Sequence, residues 1–400
     1  MMKSVKNSIL TINGGSSSIK FSLYEKGRSP ELLFYGEIEN SNKQGAKLHF
    51  TDAAAQRQDT VEMSTGNQDD AAAFLVEWLA GQQGFASVKA MGHRIVHGMK
   101  HTAPELITPA LLNELRKISA YDPDHLPAEI KLVELFAARY PATTQVACFD
   151  TSFHTTMLPA AKLLPLPRRF TDNGIQRYGF HGLSYAYLLQ ELKRIAGEET
   201  AKGRVILAHL GSGASLAAVK DGKSMDTSMG FTPVSGIPMS TRTGDLDPGV
   251  AWYMMQSEKC SPQQFSHLIN HESGLLGISG TSADMRKLLS TQHTDSRAAD
   301  AVELFCYQVK KWIGSFAAVL GGTDTLIFAG GIGEHAPEVR SRVCNGLQFL
   351  GIELDENSNK NNEPVISSLN GQVCVRVMKT NEELMIATLV GQLINKPVYQ

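Results

Sequence analysis

The sequence predicts an α/β fold in more than one domain, and three observations carry that expectation. Aliphatic runs of strand length alternate with amphipathic helical segments. Three of the runs end in glycine-rich turns, at 14–18, 211–215 and 330–333. The chain has 400 residues, which at roughly 150 per domain gives two or three domains.

Taken in order, 9–12 reads as a strand, Asn13-Gly14-Gly15-Ser16-Ser17-Ser18 as a turn and 19–23 as a half-buried strand. Residues 36–66 are polar and strand-like, with Asn40-Ser41-Asn42 as a turn. The spacing of Phe74, Leu75, Trp78 and Leu79 predicts a helix over 70–79, stopped by Gly81. A second helix is expected over 127–140, with Pro127 in its first turn. Residues 146–149 form a short buried strand that ends at Asp150. The run 205–210 and the turn Gly211-Ser212-Gly213-Ala214-Ser215 repeat the pattern of the opening hairpin, which is either a chance match or the mark of a duplication. Phe305, Val309, Trp312, Ile313, Phe316 and Leu320 share one face of a helix over 300–320. A strand over 325–329 leads into Gly330-Gly331-Ile332-Gly333. Val373, Val375 and Val377 alternate as a strand before a final helix, for which Thr380 and Glu383 have capping-box spacing. Residues 356–363 read as a polar surface loop.

Composition narrows the function. Lys+Arg is 38 and Asp+Glu is 40, so neither a basic nucleic-acid binder nor an acidic tail is expected. The five cysteines are dispersed, with no C-x-x-C pair, as in a reduced cytoplasmic protein without a structural zinc site. No apolar run approaches the length of a membrane span, and the N-terminus lacks a signal-peptide core.

Glycine turns after strands let backbone N–H groups approach phosphate oxygens. Neither G-x-x-x-x-G-K-[ST] nor G-x-G-x-x-G occurs at these turns, which disfavours the P-loop and Rossmann arrangements. Asp150, at a strand end, is either a turn aspartate or a Mg²⁺ ligand. Glu382 lies where a strand meets a helix, and the capping box leaves it unused. Arg94 and Arg242 are each flanked by small residues, so each is either a crevice arginine that neutralises anions or a surface ion pair. His181, in Arg177-Tyr178-Gly179-Phe180-His181-Gly182, is either a core histidine or a site residue. His93, His97 and His101 recur every four residues, but Gly92, Gly98 and Ile95-Val96 oppose a single helix through them and hence a histidine metal site.

Together these segments resemble the acetate kinase family, with propionate kinases as near relatives, along nearly the whole chain. The carrying segments include Asn13 to Lys20, Gly92-His93-Arg94-Ile95-Val96-His97-Gly98, Phe149-Asp150-Thr151-Ser152-Phe153-His154, Thr241-Arg242-Thr243-Gly244-Asp245 and Thr380-Asn381-Glu382-Glu383. The resemblance implies two duplicated ribonuclease-H-like domains of the actin-like ATPase fold, facing across a nucleotide cleft. It places the first domain at 1–152 plus 386–400 and the second at 153–385. It also implies a homodimer and reversible transfer of the ATP γ-phosphoryl to acetate or another short carboxylate, with Mg²⁺ or Mn²⁺ as cofactor.

Residue by residue, the resemblance assigns Asn13, Asp150 and Glu382 to the metal. Arg94, Asp150, His181 and Arg242 take catalytic roles, and Arg94, Val96 and His125 line the acid site. Asn13, Ser16, Ser18 and Lys20 line the phosphate region. His209, Gly211, Ser212, Gly213, Asp284, Met285, Arg286, Gly331, Ile332 and Gly333 match nucleotide-contacting positions. The chain departs from the family pattern at Asp124 and Leu126 around His125, at Ser212, at Ser240 and at His335. Asp124 would favour protonated His125 if their side chains met. A non-catalytic nucleotide-gated protein on the same fold is the alternative of a different class. The joint presence of Arg94, Arg242 and His181 opposes it.

Overall fold

The computed structural model describes residues 7–15, 18–27, 29–39, 46–53, 55–63, 68–82 and 84–395. The chain divides into two units. The first runs to Ser152 and resumes at Asn381, and the second is Phe153–Thr380. The chain therefore returns to the first unit at Asn381, ahead of the expected residue 386.

The first unit holds strands β1 (Ser8–Gly14), β2 (Ser18–Glu25), β3 (Glu31–Glu39), β4 (Lys47–Asp52), β5 (Arg57–Glu62), β6 (Val88–Ile95), β7 (Glu105–Leu106) and β8 (Thr144–Phe149). They form one sheet in the order β5-β4-β3-β2-β1-β6-β8-β7. β1, β6 and β8 run parallel, while β1 to β5 form an antiparallel meander. Side chains alternate across β6, and this sorts the helices. His93 points toward Phe136 of helix Leu126–Arg139, with ring centroids 5.8 Å apart. Gly92 faces the other way, against helix Glu382–Ile394. A Cβ on Gly92 would lie 2.4 Å from Ile386 and 2.6 Å from Val390, so only glycine lets that helix approach the sheet. The main core packs Ile12, Ile19, Phe21 and Leu23 against Leu75 and Leu79 of helix Gln68–Ala80 and against Leu132 and Phe136.

The second unit holds β9 (Val205–Leu210), β10 (Ala214–Lys220), β11 (Lys223–Thr227), β12 (Thr325–Ala329) and β13 (Cys374–Val377), in the order β11-β10-β9-β12-β13. Its first two pairings are antiparallel and its last two parallel. The stretch β3-β2-β1-β6-β8 of the first unit has the same order and the same directions. The two units are therefore similar α/β sheet domains of the kind seen in actin-like ATPases. Val205, Leu207, Ala217 and Val219 pack on helix Gly182–Ala196, and helix Ser296–Leu320 covers the sheet on its remaining side. Among the described residues no helix is long and apolar enough to cross a membrane.

Three local expectations change. The final helix is capped by Asn381, whose side chain accepts the Leu384 N–H at 2.8 Å, and not by a Thr380/Glu383 box. The third glycine segment is a short helix, Gly330–His335, entered through Gly330 at φ +75°. Residues 356–363 are not wholly surface. Asn359 is buried, and it accepts two hydrogen bonds from the fully buried Arg340.

Candidate active site

In the first unit the parallel strands β1, β6 and β8 present their C-terminal ends side by side, the edge at which open α/β sheets bind ligands. Asn13 ends β1, Arg94 lies near the end of β6, and Asp150 follows β8, with its N–H bonded to Ile95 O at 2.9 Å. Arg94 Nε and Nη2 both donate to Asp150 Oδ2, at 2.9 and 2.5 Å, and Nη1 makes a long 3.5 Å contact with Asn13 Oδ1. Asn13 Nδ2 donates to Glu382 Oε2 at 3.0 Å and to Glu383 Oε1 at 3.2 Å. The helix that Gly92 admits thus delivers two carboxylates to the strand ends. Of the three expected metal residues, all are in this cluster, and Glu383 joins them.

Electrostatics set the character of the cluster. Burial works against the Arg94 charge, but Asp150, Glu382 and Glu129 outweigh it and hold the guanidinium above its ordinary range. Burial, then Asp150 and Glu383, raises Glu382 to about 7 against the opposing pull of Arg94. Asp150 is fully buried, and its Oδ1 has no hydrogen-bond partner. An orphaned buried carboxylate oxygen beside two further carboxylates fits a hard divalent cation. Among the described residues no group of three or more His, Cys, Asp or Glu could hold a metal ion unaided. Mg²⁺ commonly takes one or two carboxylates and completes its shell with waters and substrate phosphates.

The acid-site expectations fall in the same unit. Val96 is buried, and its N–H donates to Glu129 Oε2 at 3.0 Å. His125 Nδ1 lies 2.8 Å from Asp122 Oδ1, so the acid that meets His125 across this contact is Asp122. Gly14, Gly15, Asp124, His125, Glu129 and Lys131 are among the residues lining a small cavity. Ser18 is half-buried and Lys20 is exposed opposite Asn13, while Ser16 lies outside the described residues.

Glu129 was not singled out from sequence. It follows His125 by one helical turn, and an acid on the buried face of an amphipathic helix is the signal that could have found it. Burial pushes its carboxyl up to about 8, with Arg94 and the Val96 N–H opposing the rise. An acid raised above its unfolded value binds a proton that the unfolded chain releases. Its stabilising contribution is complete below about 4.5 and is lost as pH rises through about 8. Glu129→Gln is therefore expected to melt several degrees higher relative to wild type at pH 8 than at pH 5, at roughly 2–4 °C per kcal/mol for units of this size. A melting difference independent of pH would show that Glu129 does not titrate there.

In the second unit β9 and β12 bring two glycine turns together. A Cβ on Gly211 would lie 4.0 Å from the Gly331 backbone nitrogen. Gly331 faces open space, Ile332 is half-buried and Gly333 is buried. Glu334 Oε1 accepts the Gly330 N–H at 3.0 Å and the Thr380 N–H at 3.3 Å, tying β12 to the segment after β13. Beside the turns, the position of a Cβ on Gly213 lies 3.1 Å from His181 Nε2 and 4.0 Å from Arg242 Nη1. The Arg242 loop depends on Gly274 at φ +59°, where a Cβ would lie 2.1 Å from Met239 O. Ser240 N–H donates to Ser212 O at 3.2 Å, linking that loop to the glycine turn through Ser212. The rings of His181 and His209 stack at 4.4 Å.

Residues 284–286, expected at the nucleotide, lie at the start of helix Met285–Thr291 in this unit. Asp284 caps helix Met285–Thr291 and pairs with the exposed Arg286 at 2.7 Å, while the Met285 side chain is buried. The structure thus brings His181, His209, Gly211, Gly213, Arg242 and Gly331 into one neighbourhood.

The chain matches the Acetokinase family over residues 8–388. It is 41% identical to an acetate kinase of Rhodopseudomonas palustris over 394 residues, covering 96% of this chain and 98% of that one. Its fold superposes on the crystal structure of Porphyromonas gingivalis acetate kinase with a TM-score of 0.86 at 35% identity, covering 97% and 100% of the two chains. On a propionate kinase from Francisella tularensis the TM-score is 0.89 at 35% identity, with 96% and 98% covered. With strand ends, glycine turns and arginines arranged as described, and with likeness along nearly its full length, the chain belongs to the acetokinase family.

Proposed function

We propose that the protein is an acetate kinase, a phosphotransferase that moves the ATP γ-phosphoryl reversibly to acetate, giving acetyl phosphate and ADP. The observation that carries this reading is the placing of Arg242 and His181 beside Gly213, next to two glycine turns suited to phosphate. Acetate is ionised at neutral pH, so its oxygen attacks the γ-phosphorus without a base, and the bond to the ADP oxygen breaks. The task is to bring two anions together in line, which is positioning and charge neutralisation. Arg94, His125 and Val96 bind the acid, and Arg242 and His181 stabilise the phosphoryl in flight. Ser16, Ser18 and Lys20 serve the phosphates, and the 211–213 and 331–333 turns, with 284–286, serve the nucleotide. Asn13, Asp150 and Glu382 would hold Mg²⁺, which supplies charge neutralisation on the phosphate oxygens. Asp150 acts there as an organiser and not as a proton acceptor, since the ionised acetate has no proton to give up, and its Oδ2 holds Arg94. Descent of the two units from one duplicated domain is part of this proposal and is supported by their shared strand order.

The test is a hydroxylamine trap of acyl phosphate with ATP, Mg²⁺ and matched acetate, propionate and butyrate. Acetate-dependent product is expected. Likeness to a propionate kinase favours propionate as the second substrate, because one methylene shifts selectivity by only about 1–3 kcal/mol. No product with any acid would overturn the reading.

A homodimer is also proposed, since Trp252 and Tyr253 of helix Pro248–Ser257 are 68% and 58% exposed. Light scattering is expected to give twice the 43.5 kDa chain mass. A mass equal to one chain would exclude the dimer.

A further inference from the structure

The proposed role of His181 needs its Nε2 to reach phosphoryl oxygens with a proton to donate. A neutral imidazole carries its proton on one nitrogen only, and its surroundings select which. Two buried groups of the second unit bear on that selection. His181 Nδ1 lies 2.8 Å from Ser215 Oγ, and the Tyr185 hydroxyl is hydrogen-bonded to the same Ser215 oxygen. Tyr185 and Ser215 are fully buried, and His181 is 9% exposed.

The sequence places this trio through local geometry. His181 stands at φ +59° just before helix Gly182–Ala196, and Tyr185 follows one turn later, its N–H bonded to His181 O at 3.0 Å. Ser215 lies near the start of β10, directly after the glycine turn, and pairs across the ladder with His209. The loop before His181 is fixed as well. Gly179, at φ +76°, lies where a Cβ would be 2.4 Å from Thr227, and His154 Nε2 meets Phe180 O at 3.0 Å.

A phenol is a stronger proton donor than an alcohol and its oxygen a poorer acceptor. The favourable direction is therefore Tyr185 O–H to Ser215 Oγ, and Ser215 O–H to His181 Nδ1. Nδ1 is then the acceptor, and the proton sits on Nε2, the nitrogen that faces Gly213. We propose that Tyr185 and Ser215 are positioning residues that hold His181 as its Nε2–H tautomer and aim that donor at the glycine turn. The proposal rests on the reading of His181 as the group that stabilises the phosphoryl in flight. His209 is built alike, its Nδ1 2.8 Å from Ser184 Oγ, which in turn lies 2.7 Å from Thr380 Oγ1.

The test combines a tautomer measurement with kinetics. Protein carrying ¹⁵N-histidine is studied by long-range proton–nitrogen correlation, and His181 is assigned by the signal lost in His181→Asn. Wild type is expected to show protonated Nε2 and acceptor Nδ1. Ser215→Ala is expected to mix the tautomers and lower kcat by roughly 10–100-fold, with KM for ATP and for acetate within about threefold. Tyr185→Phe keeps the ring packing and is expected to give a smaller loss of the same kind. A wild-type His181 protonated on Nδ1 would overturn the proposal, as would Ser215→Ala with unchanged tautomer and kcat. If Ser215→Ala mixes the tautomers while both it and His181→Asn turn over normally, the positioning stands and the catalytic reading of His181 fails. Should Ser215→Ala not fold, the wild-type spectrum and Tyr185→Phe decide.

Discussion

Arg242→Ala is expected to lower turnover at least a hundredfold while nucleotide affinity stays within about tenfold. The separation follows from how the loop is built. Its course is held by backbone bonds, Met239 N–H to Arg242 O at 3.0 Å and Leu275 N–H to Met239 O at 2.9 Å, and by Gly274. None of these needs the guanidinium, so the variant should fold. The side chain itself donates to Pro233 O at 3.1 Å and reaches the neighbourhood of Gly213. Removing it takes a cation from the place where charge is rearranged but leaves the glycine turns that hold the nucleotide. An arginine on a transferring phosphoryl can supply roughly 10³–10⁵ in rate, so a hundredfold loss is a conservative floor. Arg242→Lys should fall between, since it keeps charge and loses the planar fork. The measurement is steady-state kcat beside equilibrium ADP binding, and near-normal turnover in Arg242→Ala would remove Arg242 from the transition state.

What sequence made legible and what it hid have a common cause. The central strands could be read because each is an aliphatic run closed by glycine or a polar residue, as in β1, β9 and β12. The outer strands β4 and β5 were legible only as a polar, strand-like stretch, because Leu48 is their one fully buried side chain, and β7, two residues long, is too short to show a period. In the site, residues at strand ends were visible because the chain carries them within short motifs. Their partners were not, because they meet through the fold. His125 meets Asp122, three residues before it, and Ser215 meets Tyr185 only once a hairpin lies on a helix. Glu129 and Tyr185 each follow a candidate histidine by four residues, a helical spacing that a motif search passes over. The same limit applies to Arg340, whose partner Asn359 is nineteen positions away in a stretch that reads as surface.

The structure also changes the reasoning about the metal residues, because Glu383 is free of the capping box and shares Asn13 with Glu382. Three carboxylates then meet one amide and one guanidinium, and their order of importance follows from their surroundings. Asp150 is fully buried with one oxygen unpartnered, so Asp150→Asn is expected to have the largest effect. Turnover should fall at least a hundredfold, and the Mg²⁺ needed for half-maximal rate should rise on the order of tenfold or more. Glu382, raised to about 7 by burial and its acidic neighbours, should rank second. Removing its charge by Glu382→Gln costs the cation attraction but also relieves repulsion with Asp150 and Glu383. Glu383→Gln should rank last, since its 3.2 Å bond to Asn13 is the longer of the two. Asp150→Asn also leaves Arg94 without its buried carboxylate, so lost turnover alone would not separate metal from arginine. Electron paramagnetic resonance of Mn²⁺ binding in the presence of ADP separates them, because it reads the cation directly. Weakened Mn²⁺ binding in Asp150→Asn but not in Arg94→Lys is the expected result. Equal Mn²⁺ affinity in wild type and Asp150→Asn would assign Asp150 to holding Arg94 alone.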